Sequence, residues 1–111
     1  AHPEPDEAQR RALIEKAKTT LPPKIERYAA LMGVHPTRVT ITGARTRFGS
    51  CSGKNAISFS WRLMQYPEEA IDYVVVHELA HIRHHDHSAA FYRFIASVMP
   101  DHEARRALLR Q

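Results

Sequence analysis

Along the chain, apolar residues recur every third or fourth position in some stretches and every second position in others, and these two periods divide it into elements. Leu13, Ala17 and Leu21 recur at intervals of four behind Asp6, which can cap a helix. Pro22-Pro23 is expected to break or kink that helix. Ile25, Tyr28, Ala29 and Met32 then follow the i, i+3, i+4, i+7 pattern, and Gly33 is a natural stop. Between Thr37 and Phe48 the period changes: Arg38-Val39-Thr40-Ile41-Thr42 alternates, and Gly43 is expected to separate two short strands. Ser52-Gly53-Lys54-Asn55 reads as a turn into Ala56 to Trp61. There Ile57, Phe59 and Trp61 share one face and Ser58 and Ser60 the other.

Pro67 suits the first position of a further helix, and Glu68-Glu69 place negative charge where the helix dipole favours it. Ile71, Val74, Val75, Leu79 and Ile82 make this helix apolar over most of its surface, so it is expected in the middle of the fold. The helix is expected to end between Arg83 and Asp86. After Asp86-His87-Ser88 the stripe Phe91, Phe94, Ile95, Val98 marks another helix, stopped by Pro100, and Asp101 can cap a last one through Leu108 and Leu109. The pattern predicts an α+β domain spanning 1–111. Residues 1–36 form N-terminal packing helices, and 37–111 form a short three-stranded sheet, a central helix and flanking C-terminal helices.

Composition narrows this picture modestly. The chain has 111 residues, one cysteine and a formal charge of +4. That length suits one domain with a real core, and the small basic excess falls short of a dedicated basic tail. Cys51 alone forms no internal disulfide, and no apolar stretch is long enough to span a bilayer. The first residues, AHPEPDEAQRR, lack the apolar core of a secretory signal. A soluble cytoplasmic protein is expected.

Chemistry concentrates in the central helix, where His77-Glu78-Leu79-Ala80-His81 is a His-Glu-x-x-His motif. Residues four apart lie about 40° apart around a helix and roughly 6 Å along it, so two imidazoles converge on one metal ion. Glu78 lies beside the pair, placed to take a proton from a water at the metal. Zinc brings the pKa of such a water near 7, and the implied reaction is hydrolysis of a peptide bond. With 8 His in the chain, roughly four shuffled sequences in a hundred carry the motif by chance. Its placement on a buried helix adds weight, because an unpartnered carboxylate between two imidazoles is expensive to bury.

A catalytic zinc needs a third protein ligand and an open fourth position. His84 and His85 lie about 10 Å or more along the axis from His77, too far to share its ion. His87 follows the helix end, so the returning chain can bring its ring over the metal. Glu103, His102 and Asp86 stand as alternatives. His84 and His85 are expected to be solvated.

Arg47 to Ser52 (RFGSCS), Ile57 to Leu63 (ISFSWRL), Ile71 to His81, His87-Ser88 and Pro100-Asp101, taken in order, resemble the YgjP-like metallopeptidase family over about Thr37 to Leu109. The metal-site spacing is also similar to WLM and SprT-type zinc proteases. The resemblance implies a zincin-like fold, zinc on His77, His81 and His87, Glu78 as catalytic base, and a peptide or protein substrate. It also implies a strand along the cleft that pairs with extended substrate, which it assigns to Ala56 to Trp61. Phe48, Asp86 and Tyr92 replace Trp, Asn and Trp of many relatives, and none is a metal position.

Two rival functions remain on this reading. One is a non-proteolytic zinc module that binds a protein partner. The other is a protease acting on DNA-bound protein, with weak nucleic-acid association through Arg38, Arg45, Arg47, Lys54 and Arg62. Cys51 is read as a small packed residue rather than a thiolate ligand, Trp61 as a core anchor, and Tyr92 and Arg47 as weak candidates for oxyanion stabilisation.

Overall fold

The N-terminal helix α1, Glu7–Met32, runs straight through Pro22-Pro23 in the computed structural model, which describes residues 2–110. The expected break does not occur. The two prolines leave the carbonyls of Lys18 and Thr19 without helical donors, but both residues are exposed, so water can serve them. The halves are held in line by one continuous buried stripe of Ala17, Leu21, Ile25, Tyr28 and Met32. A reciprocal cap between Asp6 and Gln9 begins the helix, and Gly33 ends it in the left-handed region at φ 67°.

Three strands follow: β1 Arg38–Thr42, β2 Gly49–Cys51 and β3 Ala56–Ser60. The second strand therefore lies at Gly49–Cys51, later than the alternation after Gly43 suggests; residues 44–48 form a bend instead. The order is β1-β3-β2, with β1 parallel and β2 antiparallel to β3. Ile57 and Phe59 are buried as expected, but β3 stops at Ser60. Trp61–Gln65 is a 3-10 helix that Ser60 caps through its hydroxyl. Buried Trp61 anchors the core.

Helix α2, Glu68–Arg83, follows Pro67 and buries Ile71, Val74, Val75, Val76 and Leu79. It is the central helix. Lys24 of α1 lies 2.7 Å from Glu68 and 2.6 Å from Asp72 of α2, and the Tyr28 hydroxyl donates to Asp72. Helix α3, Ala89–Val98, is capped by Ser88. Helix α4, His102–Ala107, is shorter than expected, with a 3-10 turn at Leu108–Arg110. Asp101 does not cap it with its side chain; its carboxylate accepts from Arg105 instead. Among the described residues no helix is long and apolar enough to cross a membrane.

Candidate metal centre

The last two turns of α2 carry His77 and His81 on one side, as a four-residue spacing requires. The helix ends at Arg83, and the chain turns through residues 84–88 before Ser88 starts α3. That turn brings exposed His87 back over the helix. Ligand atoms of His77, His81 and His87 all lie within 4.8 Å of one another. Among the described residues neither Glu103, His102 nor Asp86 joins this group. The short reversal between α2 and α3 is the reason: it returns the chain at His87, and Ser88 then directs it away.

The rings are held from several sides. Phe91 is fully buried and stacks on His81 at 4.2 Å and 16°. It also meets His77 and His87 edge-on, at 5.2 and 5.4 Å. One side chain from the first turn of α3 thus contacts all three imidazoles. The sequence shows Phe91 only as part of an apolar stripe, and nothing in that stripe distinguishes a platform for rings from ordinary core.

Hydrogen bonds select which nitrogen faces the site. Nδ1 of His81 lies 2.9 Å from the backbone carbonyl of His84, so it donates there and leaves the Nε2 lone pair free. Burial, the largest influence, pushes the His81 pKa down, favouring the neutral ring that a metal needs. His77 Nδ1 lies 3.2 Å from Glu78 Oε2 and donates to it, again leaving Nε2. His84 thus contributes through its backbone. His85 is more than a solvated helix end: its Nε2 lies 2.9 Å from Asn55 Oδ1, tying the turn after α2 to the turn before β3, and the ring lines the cavity.

Glu78 is 6 % exposed, and its depth comes from a close approach of strand to helix. A Cβ at Gly49 would lie 2.8 Å from Glu78 Cγ, so β2 reaches α2 only because residue 49 is glycine. The spacing of motifs does not reveal this pairing. Gly49, Ser50 and Cys51 form one wall of a cavity of about 300 Å³, and His77, Glu78, His81 and His87 form the other. Arg47 also lines it, whereas the Tyr92 ring stands 6.4 Å from that of His87. Cys51 is half-buried and lies outside the histidine group. Burial first, and the Glu78 charge second, push its thiol pKa up, which favours the neutral packed residue over a thiolate ligand.

The strand beside the cavity is β2, not Ala56 to Trp61. β3 is sandwiched between β1 and β2, so its backbone groups are committed on both edges. β2 is an edge. Phe48 carbonyl and Ser52 N–H bond to β3, which by antiparallel alternation turns the backbone groups of Gly49 and Cys51 outward.

The three imidazoles fit zinc by donor chemistry, being borderline nitrogen ligands with room for a fourth. Tetrahedral donors about 2.05 Å from zinc lie about 3.4 Å apart, so the rings need to draw in by roughly an ångström. A match to the family model described as YgjP-like, metallopeptidase domain, covers residues 2–111. The chain belongs to the YgjP-like metallopeptidase family. A solved structure supports the fold of this YgjP-like domain: the crystal structure of the metallopeptidase zymogen of Pyrococcus abyssi abylysin is similar at a TM-score of 0.68. Identity to it is 23 %, over 77 % of this chain and 87 % of that one. No curated protein matches.

Proposed function

We propose that this YgjP-like domain is a zinc-dependent peptidase in which His77, His81 and His87 hold the metal and Glu78 is the general base. The observation that carries the reading is the convergence of three imidazoles within 4.8 Å beside a buried carboxylate. Zinc, when bound, supplies a Lewis acid that polarises a carbonyl and brings the pKa of a water near 7. Glu78 takes the proton of the attacking water on its carboxylate as the C–O bond forms. It then gives that proton to the amine nitrogen as the C–N bond breaks. Its hydrogen bond from His77 keeps the carboxylate pointed along the cavity. The outward groups of Gly49 and Cys51 give an extended substrate backbone an edge on which to add as a strand.

The arginines of the expected basic strip add little to a nucleic-acid reading. Arg62 makes two 2.9 Å bonds to Glu4, and Arg45 pairs with the same carboxylate, which neutralises part of the basic strip. A metal titration tests the peptidase reading. Protein stripped by chelator is expected to cleave no peptide, and one equivalent of zinc is expected to restore cleavage. Cleavage that survives stripping would refute the metal's role.

A further inference from the structure

A second cavity adjoins the metal centre across Gly49. It measures about 190 Å³ and shares Gly49, His77 and Glu78 with the first, but adds Phe48, Tyr73, Val74, Arg106 and Leu109. Since Glu78 and His77 border both cavities, they mark where the two meet. Arg106 and Leu109, from α4 and the turn after it, border only the second. A residue of an extended substrate placed beside the metal on β2 therefore has this recess next to it.

The lining is apolar with two donors. Phe48, Val74 and Leu109 supply hydrocarbon walls. Tyr73 is 5 % exposed, and its hydroxyl makes no hydrogen bond among the described residues. Tyr73 lines the recess, so its side chain borders the space a substrate group would enter. Arg106 is exposed and enters no ion pair among the described residues, whereas neighbouring Arg105 is committed to Asp101 and the Glu69 carbonyl. Arg106 and Tyr73 line the same recess, so guanidinium and phenol border one space. Glu78, the carboxylate that borders it, lies at the metal end and accepts from His77.

We propose that this recess holds a carboxylate of the substrate, bound by Arg106 and the Tyr73 hydroxyl, and so makes the site selective for acidic residues or chain ends beside the bond that is cut. The inference rests on the peptidase reading of the adjoining site. An apolar stem ending in a carboxylate matches the lining: the stem is buried against Phe48, Val74 and Leu109, and the anion meets a charge-assisted donor. The source is either a glutamate or aspartate side chain or a free C-terminal carboxylate.

Binding separates this inference from catalysis. Glu78→Gln protein loaded with zinc would be titrated with end-blocked alanine hexapeptides carrying a single Glu, Gln, Leu or Lys. A further probe is the all-alanine peptide with a free C-terminus. At least one carboxylate probe is expected to bind about tenfold tighter than its neutral counterpart. A gain with Glu over Gln assigns the side chain, and a gain with the free terminus assigns the chain end. Arg106→Ala is expected to abolish the gain, Arg106→Lys to retain part of it, and Arg106→Glu to transfer preference to the Lys peptide. The proposal is overturned if neither carboxylate probe gains, if the Leu peptide binds tightest, or if the gain survives Arg106→Ala. Cleavage of the same peptides by the parent protein is read in parallel. A preference without cleavage leaves this inference standing and refutes the peptidase reading, and cleavage without preference does the reverse.

Discussion

Gly49 and Glu78 are far apart in the chain, yet the position of the proposed base depends on the side chain Gly49 lacks. A methyl group there would meet Glu78 Cγ at 2.8 Å and Oε2 at 3.2 Å. Gly49→Ala is therefore expected to push the carboxylate aside and lower kcat/KM about a hundredfold, the effect of roughly an ångström of misplacement. Zinc content, by metal analysis, is expected to stay unchanged. The histidines give a second contrast. His84 acts through its carbonyl, so His84→Ala is expected to keep zinc affinity within a few-fold, while His87→Ala removes a proposed ligand and is expected to lower it at least a hundredfold. Competition with a chromogenic chelator measures both. His77, Glu78 and His81 were legible in the sequence because one helical turn fixes their relations. His87 was legible as a candidate because the chain returning after the helix can bring it back, although Glu103, His102 and Asp86 stayed open until the structure grouped His87 with His77 and His81. Gly49 and Phe91 were not, since their roles arise from contacts between elements that no local period encodes.

At the scale of elements, α1 and α2 are joined by a charged cluster whose members are mostly covered. Lys24 and Asp72 side chains are 15 % and 13 % exposed and lie 2.6 Å apart. Asp72→Ala is expected to destabilise the fold by about 2–3 kcal/mol by denaturant titration, below the usual loss for a broken buried pair because Glu68 still faces Lys24. Burial pushes the Tyr28 pKa up, reinforced by its bond to Asp72. Burial pulls Lys24 down, but Asp72 and Glu68 outweigh it and leave its pKa raised. Both groups hold their protons to higher pH folded than unfolded. Their contribution is thus complete below about pH 10 and is lost as pH rises through the folded values. Tyr28→Phe is expected to flatten the alkaline fall in stability, read as ΔG of unfolding from pH 8 to 11.5. Two elements departed from the sequence pattern for tertiary reasons. Pro22-Pro23 is tolerated because the carbonyls it orphans belong to exposed residues and the buried stripe continues past it. The cleft strand is β2 rather than β3 because sheet order, which alternation cannot show, places β3 in the centre.

For the whole molecule, the α+β architecture followed from two periods and their order, and the abylysin likeness agrees with it. What the sequence withheld is the arrangement around the helix motif: β2 pressed on Glu78 and Phe91 beneath the rings. The central claim is that Glu78 acts on a proton and does not merely hold the core together. Glu78→Gln tests it most directly, because the amide keeps the size of the carboxylate but cannot act as a base. With zinc content and fold confirmed as equal to the parent, peptide cleavage is expected to fall by about 10²–10⁴. Cleavage by Glu78→Gln at the parent rate would contradict the account.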